Sequence, residues 1–327
     1  MIEVYAPASI GNFTVGFDSL GAALAPIDGS LLGDVVTICE APRDEFICSG
    51  EYAHKLPSDA NENLAYQCLV HFRTHVAPNM PAVKLELKKN LPIGSGLGSS
   101  ACSVVAAFAA LDKFAQTNLS QVELIELMAD FEGLVSGGRH YDNITPCYLG
   151  GLQLTGDLIP NKSIALPVDE NWYYVAAFPG FSLNTAKARS VLPKELSMHA
   201  GVEFAQRLSA FSSLLLTSRF DEALCIMQDN IAEPHRAPLI NGFDQAKLSL
   251  PELGAEVVSI SGAGPTLFSA ASTSSSISIT FSSFCTGSPA MKVANNTARL
   301  SKGENNANGV NSLSSWDFDT SSGVRKR

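Results

Sequence analysis

The stretch Pro92-Ile93-Gly94-Ser95-Gly96-Leu97-Gly98-Ser99-Ser100-Ala101 decides how this chain is read. It follows Val83-Lys84-Leu85-Glu86-Leu87, whose strict apolar–polar alternation is that of a half-buried strand. It runs into Ser100–Ala115, where Ala101, Val104, Val105, Phe108 and Leu111 recur at helical spacing and predict one apolar face. Glycine at every second position lets the backbone approach an anion closely and turn its N–H groups inward. The N-terminus of the following helix adds a partial positive charge. Ser95, Ser99 and Ser100 offer hydroxyls to phosphate oxygens or to a Mg²⁺ ion. The loop is neither a Walker A sequence, which needs Gly-Lys-Ser/Thr at its end, nor a GxGxxG dinucleotide fingerprint, because Ser stands at position 99. It predicts a phosphate-binding turn of another kind between a strand and a helix.

Outward from this loop, strand-like runs occupy Val35–Cys39 and Trp172–Phe178. Ser120-Gln121-Val122-Glu123 has the form of a capping box and opens a helix towards Val135. Helical spacing recurs over about Val202–Ser218 and Phe220–Ile231. The mixture predicts an α+β chain with a boundary within Thr155–Asn171, so that residues 1–155 and 165–270 form two domains. Thirty-two acidic against 22 basic residues leave a formal charge of -10, the wrong sign for a protein that coats nucleic acid. There is no run of 18 apolar residues to span a membrane and no basic-then-apolar leader at Met1. The seven cysteines are scattered and form no CxxC pair, which predicts reduced thiols in a cytoplasmic protein. Residues 271–327 differ in kind: 14 Ser, 5 Thr and 6 Asn among 57 residues predict a largely disordered tail.

Three motifs in order carry a family resemblance. Pro92–Ala101 resembles the second motif of the GHMP kinases (galactokinase, homoserine kinase, mevalonate kinase, phosphomevalonate kinase). Ala6–Gly21 resembles the first motif, and Ser261-Gly262-Ala263-Gly264-Pro265-Thr266 the third. Over residues 1–270 the chain is most similar to the bacterial homoserine kinases of that superfamily. The resemblance implies a two-domain α+β fold, with a ribosomal-protein-like nucleotide-binding domain followed by a ferredoxin-like domain. It also implies phosphorylation of the L-homoserine hydroxyl by ATP with Mg²⁺ in threonine biosynthesis, small-molecule partners only, and a homodimer. The resemblance ends near Ala270. Family members continue with a further helix and a closing strand, whereas residues 271–327 read as an unrelated replacement or the product of a shifted frame, and predict an incomplete second domain.

The resemblance also distributes roles. ATP falls to Pro92, Ile93, Gly94, Ser95, Gly96, Leu97, Gly98, Ser99, Ser100, Ala101 and Cys102, with Asn63 at the adenine. Asn63 is equally a cap for a Leu64–Phe72 helix. Mg²⁺ falls to Ser100 and Glu132, oxygen ligands of the kind a hard cation needs. Asp18 takes the substrate ammonium and Asn12 its hydroxyl, while Arg189 and Arg236 clamp the carboxylate beside Thr185. His140, Asp142 and Asn143 lie at the substrate. Several relatives place a basic Asp where Asn143 stands, and an amide cannot take a proton. Catalysis by positioning through Asn143, His140 and Asn12 is therefore expected, with Asp142 as the alternative base. Two other readings stand beside this one: a GHMP kinase for a different small-molecule acceptor, and an inactive, regulatory nucleotide-binding relative.

Overall fold

The computed structural model describes residues 1–272, 290–293 and 299–301. A first sheet runs, in order, β13 (Arg299–Ser301), β1 (Ile2–Pro7), β4 (Gly33–Glu40), β6 (Val83–Lys88) and β5 (Glu45–Ser49). β1 pairs antiparallel with β4 through Val4 and Val36, β4 with β6 through Val36 and Leu87, and β5 lies parallel to β6. The alternation of β6 is realised as expected: Val83, Leu85 and Leu87 are buried, while Lys84 and Glu86 are partly exposed.

Helix α2 (Ser99–Ala115) packs on this sheet against β1 and β4, flanked by α1 (Leu64–His75) and α3 (Gln121–Ser136). Helix α2 departs from the expected single apolar face. Ala101 to Asp112 is buried without a break, because Ala106, Ala107, Ala109 and Ala110 are small enough for α1 and α3 to approach from the sides. The capping box of α3 is present in both directions: Ser120 Oγ accepts from Glu123 N, and Glu123 Oε2 accepts from Ser120 N at 2.8 Å.

A second sheet has the order β10 (Val257–Ile260), β11 (Leu267–Ala271), β9 (Tyr173–Ala177), β12 (Ala290–Val293), β3 (Leu20–Pro26), β7 (Leu152–Thr155) and β8 (Ser163–Leu166), with β2 (Ser9–Gly11) paired to β3. Within the Thr155–Asn171 stretch, Ser163–Leu166 folds back on β7. Within 271–327, whose tail is expected to be largely disordered, Ala290–Val293 pairs with both β3 and β9, and Arg299–Ser301 with β1. The other residues of 273–327, and what is predicted for them, lie outside the described part.

The second half adds α4 (Ile144–Leu149), α5 (Thr185–Ser190), α6 (Met198–Leu216), α7 (Phe220–Cys225), α8 (Glu233–Arg236) and α9 (Phe243–Glu252). The helix expected to run to Ile231 stops at Cys225. Asp229 then takes the backbone N–H groups of Ile231, Ala232 and Glu233 at 2.8, 2.8 and 3.1 Å and starts the turn of α8 instead. One apolar core joins the halves. Phe13, fully buried, lies within 5.8–6.2 Å of the rings of Tyr174, Phe211 and Phe268, and a ring so placed contributes about 2–3 kcal/mol by burial alone. That contact seats the first motif on the second sheet.

Candidate active site

The glycine loop is held open by its carbonyls. Ile93 O accepts from Ser182 Oγ (2.7 Å), Gly94 O from Leu183 N (2.9 Å), Ser95 O from Thr266 N (3.0 Å), Gly96 O from Ser261 Oγ (2.6 Å) and Leu97 O from Ser9 N (3.1 Å). Five successive carbonyls are thus engaged by flanking segments. Gly94, Gly96 and Gly98 sit at φ +64°, +84° and +65°, where a side chain is strained. Gly98 starts α2 without any side-chain cap, so the first-turn amides of that helix are left for an anion.

Beneath the loop lies a buried ion pair that sequence reasoning missed. Lys89 Nζ bonds Asp34 Oδ2, Ser99 O (2.8 Å) and Ser103 Oγ (2.9 Å). Asp34 Oδ1 accepts from Asn90 N and Leu91 N at 2.9 and 3.1 Å. Both residues are almost wholly inaccessible. The pair therefore ties the strand that enters the loop to the helix that leaves it. A charged residue opening the apolar run Asp34-Val35-Val36 was the available signal, since such a charge needs a partner.

The cleft has two lobes. The first is lined by Asn12, Asp18, Gly94, Ser95, Gly96, Gly98, Ser99, Ser100, Ala101, Glu132, His140, Asp142, Asn143, Thr185, Arg189 and Arg236. The second continues past Ser99, Ser100 and Glu132 to Asn63, Leu56, Leu64, Leu87, Ile93 and Leu183. Most of the predicted residues are therefore together. Pro92, Leu97 and Cys102 are the exceptions: their side chains are buried behind the loop, and Cys102 Sγ bonds Ala6 O at 2.9 Å. In these three the side chain belongs to the core, which leaves only their backbone atoms to the ATP assignment. Asn63 does cap α1, with Oδ1 accepting from Ala65 N at 3.0 Å, yet its buried Nδ2 has no partner and borders the apolar lobe.

At the far end of the first lobe, charges of both signs meet. Asp18 receives two bonds from Arg189, at 3.1 and 2.9 Å, and its Oδ1 lies 3.6 Å from His140 Nδ1. Asn12 Oδ1 accepts from Asp18 N (3.0 Å), and its Nδ2 donates to Gly262 O (3.3 Å), linking the first motif to the third. Arg236, expected beside Arg189 at the substrate carboxylate, is only 3% exposed. Its Nε and one terminal nitrogen donate to Ala188 O (3.2 Å) and Gly262 O (2.8 Å), so much of it is spent in holding α5 and the third motif together. The ring of Phe17, also missed, has both guanidiniums over it, each 5.7 Å from its centre.

Electrostatics follow burial. The His140 imidazolium is disfavoured chiefly by burial, with Asp18 opposing and Arg189 and Arg236 assisting. Asp142 is pushed up to about 7, first by burial and then by the neighbouring Asp18 charge, while the bond from Asn12 N (3.2 Å) pulls the other way. Asn143 Oδ1 accepts from Ser9 Oγ at 2.8 Å. Ser100 and Glu132 bring one hydroxyl and one carboxylate to the junction of the lobes. Among the described residues there is no cluster of three or more His, Cys, Asp or Glu that could hold a metal. This donor set fits a Mg²⁺ ion whose remaining ligands are phosphate oxygens and water.

Residues 63–151 match the model of the GHMP kinases N-terminal domain. The chain carries that domain, and its fold is the α+β fold of the GHMP kinases. Among solved structures it is similar to the homoserine kinase of Cytophaga hutchinsonii, with a TM-score of 0.80 and 29% identity over 91% of this chain and 96% of that one. It also resembles a protein of Listeria monocytogenes described as a putative homoserine kinase (TM-score 0.72, 22% identity, 93% and 100% covered). A mevalonate kinase of L. major, solved with R-mevalonate, shares the fold at TM-score 0.58 and 17% identity, over 84% of this chain and 88% of that one.

Proposed function

We propose that this chain transfers the terminal phosphoryl group of ATP to the side-chain hydroxyl of L-homoserine, a step in threonine biosynthesis. The observation that carries the proposal is one cleft joining a glycine loop and Mg²⁺-type oxygens to a pocket in which Asp18 faces Arg189. An amino acid is a zwitterion. It can replace that ion pair with two of its own, its ammonium on Asp18 and its carboxylate on Arg189, so that neither charge is left unpaired.

The nucleotide lies with its base in the apolar lobe near Asn63 and its phosphates on the loop and the first turn of α2. Ser100 and Glu132 would hold Mg²⁺, which when bound neutralises charge on the phosphates. The substrate hydroxyl oxygen forms a bond to the γ-phosphorus as the bond to the bridging oxygen breaks. ADP leaves with that electron pair, and the hydroxyl proton passes to an oxygen of the transferred group. Asn12, His140 and Asn143 hold the acceptor in line, with Thr185 beside Arg189. Arg236 sets the cleft wall and supports Arg189.

One observation favours a second reading of the proton transfer. The burial that raises Asp142 gives it the affinity a general base needs. In that case Asp142→Asn abolishes turnover at every pH, whereas positioning alone leaves the variant active. Six described cysteines are free thiols, which suits a cytoplasmic protein, and no described helix is long and apolar enough to cross a membrane. A homodimer is part of the same reading.

Purified chain supplied with MgATP and L-homoserine should yield ADP and O-phosphohomoserine in equal amounts by ³¹P NMR. Turnover of mevalonate or a sugar without turnover of homoserine would transfer the reading to another acceptor. ATP binding without turnover of any acceptor would favour a regulatory protein.

A further inference from the structure

Ser9 has no place in the functional reading above, yet three parts of the site meet on it. It is fully buried at the start of β2. Its Oγ donates to Asn143 Oδ1 at 2.8 Å, and its N–H donates to Leu97 O in the glycine loop at 3.1 Å. Cys147 Sγ lies 3.4 Å from the same Oγ, but its single proton has Pro7 O nearer, at 3.1 Å; the serine proton is directed at Asn143 because Oδ1 can only accept. The loop closes over this contact: a Cβ on Gly98 would stand 2.1 Å from Ser9 Oγ and 2.9 Å from Asn143 Oδ1. The carbonyl side of the Asn143 amide is thereby occupied and covered. Asn143 lines the cleft, and the polar atom left to its amide is the donor Nδ2, which rests against Gly11, where a Cβ would stand 2.6 Å from it.

We infer that Ser9 is a positioning residue that holds the Asn143 carboxamide in one of its two orientations, so that its NH₂ and not its carbonyl meets the acceptor hydroxyl. An amide's two ends differ little in size but are opposite in hydrogen-bonding sense, and only a fixed neighbour can choose between them. Presented this way, Asn143 donates to the oxygen that attacks phosphorus and fixes its place. Flipped, it would compete for the hydroxyl proton and turn the oxygen lone pair away from the line of transfer. The inference rests on the role proposed for Asn143 in phosphorylating homoserine.

Two measurements test it. In Ser9→Ala, kcat with homoserine should fall about five- to tenfold, the effect of one net hydrogen bond, while the KM for ATP stays near wild type and the thermal midpoint falls by only a few degrees, as roughly 1 kcal/mol of lost buried bonding requires. Ser9→Thr, which keeps the hydroxyl, should restore kcat. In an Asn143→Ala background, Ser9→Ala should cost nothing more. An equal loss of kcat in that background, or from Ser9→Thr, overturns the inference. Independently of turnover, the ¹³Cγ resonance of Asn143 should shift in Ser9→Ala as its carbonyl loses a donor, and an unmoved resonance also overturns it. If wild type forms no phosphohomoserine while that resonance moves, the proposed function fails and the orientation by Ser9 stands.

Discussion

Gly96→Ala puts the packing of the loop against the third motif to a quantitative test. Gly96 sits at φ +84°, and a Cβ built there would lie 2.6 Å from Ser261 O, 2.8 Å from Gly264 O and 2.9 Å from Gly264 C. All three are backbone atoms, so no side chain can rotate away. Relief requires the Ser261–Gly264 turn to withdraw, and that strains the 2.6 Å bond from Ser261 Oγ to Gly96 O. Gly242 is the control, with the same φ of +84° but nothing within 4 Å of its Cβ. Each alanine carries the left-handed backbone penalty of about 1–2 kcal/mol. Only Gly96→Ala adds the displaced turn and the weakened bond, roughly 2–3 kcal/mol more. At about 2–4 °C per kcal/mol, thermal unfolding should fall by roughly 6–20 °C for Gly96→Ala and by only ~2–8 °C for Gly242→Ala. On the proposed function, MgATP should raise the midpoints of wild type and Gly242→Ala alike and should do little for Gly96→Ala. Equal losses in the two variants would refute the argument, because they share everything but the contact.

Other consequences follow from the same geometry. Lys89→Met leaves the Asp34 charge buried without its cation and should cost about 3–5 kcal/mol by urea unfolding, and adding Asp34→Asn should recover part of that. Arg189→Ala should raise the KM for homoserine at least tenfold at an unchanged KM for ATP, with little effect on the thermal midpoint. Arg236→Ala should lower the midpoint as well, since it takes a donor from the buried Ala188 O and leaves Gly262 O with only the longer bond from Asn12. Because burial raises Asp142 from 3.8 to about 7, the folded chain binds that proton more tightly than the unfolded chain. Its stabilising contribution is therefore complete below about pH 4 and is lost as pH rises towards 7. Asp142→Asn should flatten the dependence of unfolding free energy on pH across that window, and an unchanged slope would contradict the assignment. Ser120→Ala should cost about 1 kcal/mol through its lost cap, with steady-state kinetics untouched.

Local signals were the ones legible in advance. The glycine loop announces itself because positive φ at alternate positions needs glycine, and the Ser120 box because its two bonds span only three residues. The alternation of Val83–Leu87 is that of β6. Where distant segments decide, the sequence is silent. Arg236 looks like any surface arginine until Ala188 and Gly262 are brought to it. Ser9 and Asn143 are 134 residues apart, and Lys89 and Asp34 are 55 apart. The end of α7 at Cys225 depends on Asp229 capturing three later amides, which competes with a helical pattern that periodicity alone would extend. Residues 290–293 and 299–301 carry no strong strand pattern and are strands only because β3, β9 and β1 offer edges to pair with.

The pinning of the loop carbonyls has a consequence in time as well as in space. Gly96 is fastened by a residue 165 positions away, and Asn12 by one 250 positions away. Contacts of such separation close late, because the entropy of the long intervening chain must be overcome before they form. Nucleotide affinity should therefore be among the last properties to emerge as this chain folds. It should also be among the first to vanish when the two halves begin to part, so that, on the proposed function, ATP binding would report their union.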